Sequence, residues 1–146
     1  MKKLLLIPLL FLSIILYSIE IPKNKGFVSD YENLFTSDQN YELTKILSEY
    51  ETETTIEIAI LTIPDYEGDI FDFAQETATA WGVGKDSTDN GLLIVISKNR
   101  RILRSQTGYG LEGYLPDGWL KGIEDRITQT YYKDSLYYQG TLLLIN

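Results

Sequence analysis

DSTDNGLLIVISKNRRILRSQTGYGLEGYLPD, residues Asp86–Asp117, holds two extended runs between two unusual ends. An acidic turn (Asp86, Asp89, Asn90, Gly91) leads into the apolar run Leu92–Ile96, and a polar reversal, Lys98–Arg101, leads into a second run, Ile102–Thr107. A glycine-rich exit, Gly108-Tyr109-Gly110-Leu111-Glu112-Gly113, follows and ends on Pro116-Asp117. If the two runs pair as an antiparallel hairpin around Lys98-Asn99, Asn90 lies opposite Thr107, because each step away from the turn is matched on the other strand. The acidic turn and the glycine exit then share one sheet end. With neighbouring strands about 4.8 Å apart, Asp89, Glu112 and Asp117 are expected to come within metal-ligand reach although they are far apart in the chain.

Outward from the hairpin, the pattern alternates strand and helix. Phe27–Tyr31 is extended; Thr36 with Gln39 three residues later forms a capping-box signature, and Leu43, Ile46, Leu47 and Tyr50 follow on one helical face. Thr54–Ile63 is rich in β-branched residues and reads as a strand ending at Pro64. Asp69 is a cap for a second helix carrying Ile70, Phe73, Ala74, Thr77, Ala78 and Trp81, stopped by Gly82 and Gly84. Strand, helix, strand makes the runs from Thr55 and from Leu92 parallel. Asp117 is the expected cap of a third helix with Trp119, Leu120, Ile123, Ile127 and Tyr131 on its apolar side; Trp81 and Trp119 both read as core, and Leu142–Ile145 as a buried terminal run. The expected class is α/β, a small mixed sheet with helices on both faces, an α/β/α sandwich.

Composition narrows the chemistry. The chain has 146 residues, no cysteine, no histidine and a formal charge of −8. Disulfides, thiol nucleophiles and zinc-thiolate sites are excluded, and so is the usual histidine general base. An acidic chain without a basic footprint is also a poor partner for nucleic acid. Its basic cluster, Arg100, Arg101 and Arg104, reads as a turn and a strand face open to water. Met1–Ser18, two lysines followed by an apolar run, has the pattern of a secretory signal or an N-terminal anchor, so the domain is expected outside the cytoplasm, periplasmic or secreted, with membrane contact through that segment if it is retained. A linker over 19–26 separates it from one domain over 27–146.

GFVSDYENLFTSDQ (Gly26–Gln39), TAWGVGKDSTDNG (Thr79–Gly91), GYGLEG (Gly108–Gly113) and the Pro116-Asp117 step agree in order and spacing with one family. The chain resembles the TPM domain family from about Gly26 onward. That resemblance implies an accessory or interaction module acting on a membrane-associated protein, with acidic loops that take a divalent cation. The carry-over falls on Asp89, Asn90, Glu112 and Asp117, less directly on Asp86, and on Asp30 as a recurrent family aspartate. These residues offer only oxygen, which suits Ca or Mg and not zinc. An EF-hand loop starting at Asp86 fits at Asn90 and Gly91 but fails at its third ligand position, Thr88, and at its twelfth, Ser97, where a bidentate Glu is required. Without a cation, Asn90-Gly91 is a turn, Asp117 a cap and the glycines a bend that could also form an anion nest. Some family members are described as acid phosphatases, so a metal-assisted phosphatase using Asp89, Glu112 and Asp117 is the alternative function, and a ligand-free structural module is a third.

Overall fold

Residues 20–84 and 87–146 are described by a computed structural model; the expected leader over 1–18 lies outside them, as does Asp86. The elements run β1 (Val28–Asp30), α1 (Ser37–Thr54), β2 (Glu57–Thr62), α2 (Ile70–Trp81), β3 (Gly91–Ser97), β4 (Ile102–Thr107), α3 (Tyr109–Glu112), α4 (Asp117–Thr130) and α5 (Tyr137–Ile145), with one 3-10 turn at Tyr132–Asp134. The sheet order is β1-β2-β3-β4; the first three strands are parallel and β4 returns antiparallel. The class is α/β, as the strand and helix alternation implies.

Strand alternation divides the core into two layers. Ile58, Ile60, Leu92, Ile94, Ile96 and Leu103 face Leu43 and Leu47 of α1, Ile127 of α4 and the Tyr132 ring. Ala59, Leu61, Leu93 and Val95 face Phe73 and Ala74 of α2. Every residue of β3 is buried, which is why its sequence is continuously apolar rather than alternating. The chain steps one way across the sheet, β1 to β2 to β3, while α1 and α2 lie on opposite faces. The two crossovers are therefore of opposite hand, and one departs from the right-handed rule.

Local signals place most boundaries. Thr36 and Gln39 exchange both capping-box bonds, at 3.2 and 3.0 Å. Asp69 caps α2 through the Phe71 N–H, and Gly82 closes it in the left-handed region at φ 65°. Trp81 packs against the α2-side core and donates its indole N–H to the Pro22 carbonyl at 2.8 Å.

Five expectations need correction. Thr107 pairs with Leu92, not Asn90, because the reversal consumes four residues, Lys98–Arg101, with Arg101 at φ 53°. A slip of two keeps every side chain on its expected face. Thr54 belongs to α1 rather than to the next strand: the helix runs on until Thr55 turns left-handed at φ 66° and returns its N–H to the Glu51 carbonyl. Pro116, not Asp117, is the N-cap of α4, and Asp117 makes no capping bond. Trp119 is 56% exposed, while Glu124, farther along the same helix, is 2% exposed and takes a core position. The terminal apolar run is only half covered, Leu143 being 47% exposed.

Candidate functional site

The acidic turn and the glycine exit meet at the end of the sheet where β3 begins. Pairing continues past the strands: Gly108 N–H donates to the Gly91 carbonyl at 2.9 Å and Gly110 N–H to the Asp89 carbonyl at 3.0 Å. Asp89, in the left-handed region at φ 46°, also accepts the Tyr109 N–H on its Oδ2 at 3.1 Å. The exit glycines are needed for close approach rather than for positive φ. A Cβ on Gly108 would lie 2.3 Å from the Asp89 carbonyl oxygen, and one on Gly110 would lie 2.1 Å from that of Thr88. Both clashes are with backbone, which cannot swing aside.

Beside this interlock is a cavity of about 200 Å³. Its polar lining comes from Asp89, Thr79, Gln75, Gln106 and Thr107, with Gln106 Nε2 donating to Gln75 Oε1 at 2.8 Å. The side-chain acceptors are all oxygen, the donor chemistry of a hard cation. Among the described residues no three acidic side chains gather to hold a metal ion. A cation at this end would rest on Asp89 and keep most of its water, a mode common for magnesium.

The other residues singled out above have separate surroundings. Asn90 is buried; its amide donates to the Thr55 carbonyl at 2.6 Å and accepts the Thr88 hydroxyl at 2.7 Å, tying the turn to the end of α1. Glu112 ends α3 and is exposed. Asp117 is exposed at the first turn of α4 and lies 3.6 Å from the Arg104 guanidinium. Asp30 sits at the far end of the sheet, where β1 finishes, roughly 20 Å of strand from Asp89. Its two oxygens accept the Leu34 and Phe35 N–H groups, at 3.1 and 3.0 Å, and its Oδ1 also accepts the Thr62 hydroxyl. That carboxylate organises the β1–α1 loop.

Two charged residues, Glu57 and Glu124, escaped the sequence reading, and a third, Arg104, was expected to face water. Glu57 opens β2 beside Gly91 and accepts the Gly84 N–H at 2.9 Å, bracing the loop before the acidic turn. A carboxylate heading an otherwise apolar strand was its only signal. Arg104 is not a water-facing residue: its side chain is 7% exposed, with the guanidinium 4.1 Å from the centre of the Phe71 ring. Glu124 accepts the Ser105 N–H at 2.5 Å, supplying the outer edge of β4 with an acceptor. Burial pushes its carboxyl above the ordinary value, opposed by that N–H and by Arg104 and Lys121. Arg100 meanwhile pins the reversal to the β2–α2 loop, with Nε 2.9 Å from Asp65 and a donated bond to the Tyr66 carbonyl at 3.0 Å.

Large aromatics stand out around the exit. Tyr109 is 81%, Tyr114 82% and Trp119 56% exposed, all on the short stretch from α3 into α4. A short helix locked to Asp89 and the first turn of α4, where the Trp119 and Leu120 N–H groups donate to the Pro116 carbonyl, hold them, so their exposure is a property of ordered backbone.

Residues 28–146 match the family model of the TPM domain. Among solved structures, the chain is similar to the N-terminal domain of a protein from P. gingivalis, determined by NMR: 32% identity over 82% of this chain and 76% of that one, with a TM-score of 0.74. The N-terminal domain of a Corynebacterium glutamicum protein shares the fold at 18% identity over 86% and 80% of the two chains, TM-score 0.63. BA42 protein from the psychrophilic bacterium Bizionia argentinensis shares it at 20% identity over 79% of each, TM-score 0.67. No protein with a curated description matches the chain.

Proposed function

From the premise that the chain belongs to the TPM domain family over residues 28–146, we propose that it is an extracytoplasmic accessory module that grips a membrane-associated protein through Tyr109, Tyr114 and Trp119. Asp89, beneath that rim, is the seat of a hydrated Ca or Mg ion. The observation that carries this reading is the exposure of three large aromatics on backbone that is itself pinned. Tyrosine and tryptophan bring wide contact area at little entropic cost, and they dominate the energy of protein interfaces. The basic and apolar stretch over 1–18 supports a place outside the cytoplasm.

A phosphatase would need its attacking group or its metal among Asp89, Glu112 and Asp117. Asp89 spends one oxygen on Tyr109 and Asp117 faces Arg104, so the accessory reading has more support. With neither histidine nor cysteine in the chain, a proton relay would also have to be built from carboxylates alone.

Two measurements test the two halves. Calorimetric titration of the full chain with Ca and Mg is expected to give saturable heat, weakened about tenfold or more in Asp89→Asn, since the ion would lose its one fixed charge. Asparagine tolerates the left-handed backbone at 89, so the variant keeps its fold; a native chain that takes up neither ion ends the cation half. For the partner, Tyr114→Ser/Trp119→Ser is expected to lose capture of a membrane protein that the native chain retains. Its folding stability should change by less than about 0.5 kcal/mol per site, as for other exposed positions. Equal capture by both chains would remove the aromatic rim from the reading.

A further inference from the structure

The opposite end of the sheet carries a different cavity. The parallel strands β1, β2 and β3 end at Asp30, Thr62 and Ser97. Beyond the end of β3, between the reversal and the α4–α5 corner, lies a space of about 680 Å³. Its size is in the range of small-ligand pockets.

Its lining has one sign of charge. Among the described residues, Lys98, Arg101 and Lys133 contribute the ionisable side chains other than tyrosine, and no carboxylate lines the cavity. The chain carries 21 acidic against 13 basic residues, and some of its cations, Lys45, Arg100, Arg104 and Lys121, have an acid within ion-pair distance. Among the described residues, none of the three cavity cations enters an ion pair. Glu32, just beyond β1, accepts the Lys98 backbone N–H at 2.9 Å, which holds the turn in place, and its carboxylate also attracts the Lys98 charge, so Arg101 and Lys133 are the less compensated of the three. Arg101 occupies the left-handed region at φ 53°, a position where a non-glycine residue costs about 1 kcal/mol and asparagine or glycine would be easier.

The remaining wall is aromatic. Tyr132 is buried, its hydroxyl 3.0 Å from the Thr141 hydroxyl, so the ring rather than the phenol faces the space. Tyr137 packs against it with ring centres 5.0 Å apart, and Ile102 adds an aliphatic surface. Charge on one side and fixed apolar surface on the other suit one kind of occupant.

We propose that this cavity binds a small organic anion, its acidic head among Lys98, Arg101 and Lys133 and its apolar body against Tyr132, Tyr137 and Ile102. The site is independent of the cation at Asp89, which lies beyond the other end of the strands. Binding needs no bond to form or break.

The test is an amide-resolved NMR titration of the full chain with phenyl phosphate and with phenylacetate, alongside inorganic phosphate and phenol. Saturable shifts from at least one of the two aromatic anions are expected, confined to residues 97–102 and 128–137. Phosphate, lacking a body, and phenol, lacking the charge, should each bind about tenfold more weakly, the loss of one charged or one apolar contact. Lys133→Gln and Arg101→Gln change exposed side chains and leave the fold intact; each is expected to weaken the anion about tenfold. The proposal fails if neither aromatic anion saturates these amides at millimolar concentration. It fails equally if the shifts scatter over the surface, or if both variants bind as the native chain does.

Discussion

Gly91→Ala is expected to cost more than about 3 kcal/mol, a large share of the stability of an ordinary domain. The added methyl group would stand 2.1 Å from the Val83 carbonyl oxygen and 2.4 Å from its carbon. Neither atom belongs to a side chain that can rotate away, so relief requires moving the segment that leaves α2 or the first residue of β3. The crowding is mutual: a Cβ on Gly84 would come within 2.5 Å of the Gly91 nitrogen, and Gly84 is held there by its bond to Glu57. Gly122→Ala is the matched control. It lies inside α4 with nothing within 4 Å of the new atom, and alanine there should stabilise by about 0.5–1 kcal/mol. Urea denaturation of the two variants should move the midpoint in opposite directions; a neutral Gly91→Ala would mean that the two loops do not touch.

The second large effect belongs to Glu124. Removing its side chain with Glu124→Ala would leave the Ser105 N–H buried without an acceptor on the open edge of β4, at a cost of about 1–3 kcal/mol from that group alone. Glu124→Gln keeps the acceptor and removes the charge, and the pH dependence then decides the physical role. Burial raises the native carboxyl above its value of 4.5 in the unfolded chain, so between those two values the native state holds more protons. Stability from this group is fully present below pH 4.5 and falls as pH rises through the native value. Glu32 is raised by burial too and adds to the fall with the same sign. Denaturation followed from acid to neutral pH should therefore show a shallower decline in Glu124→Gln than in the native protein, with the two converging in acid. Parallel curves would mean that the carboxyl is as well solvated in the fold as outside it.

These two residues also mark how far the chain could be read in one dimension. The caps at Thr36 and Asp69, the apolar stripe of α2 and the doubly buried β3 are local or periodic features, and each appears where the residues say. The meeting of acidic turn and glycine exit was legible as well, because a hairpin must bring its two flanks together whatever its register. The register was less accessible: whether a reversal takes two residues or four depends on Arg101 accepting a left-handed backbone, which its identity does not advertise. Helix α4 shows a different limit. Trp119 and Glu124 fall within one turn and a half, and hydropathy assigns the first to the core and the second to water. The reverse holds because β4 is an edge strand whose outward N–H needs an acceptor, and no stripe of apolar residues encodes that need.

Side-chain alliances across the fold lay wholly beyond the one-dimensional pattern. Asp30 turned to its own loop, Asn90 to the end of α1 and Asp117 to Arg104, although all three share the residue types expected at a cation. Taken alone, the order of residues determined the α/β class, the hairpin, the helix boundaries to within a few positions and the family, since those follow from periodicity, capping and short motifs acting over a few residues. Only the tertiary structure decided which carboxylates are spent on backbone, and which cations gather at the far end of the sheet. A hydrogen bond or an ion pair is settled by where a distant partner happens to arrive, and that information is held in the packing of the whole molecule.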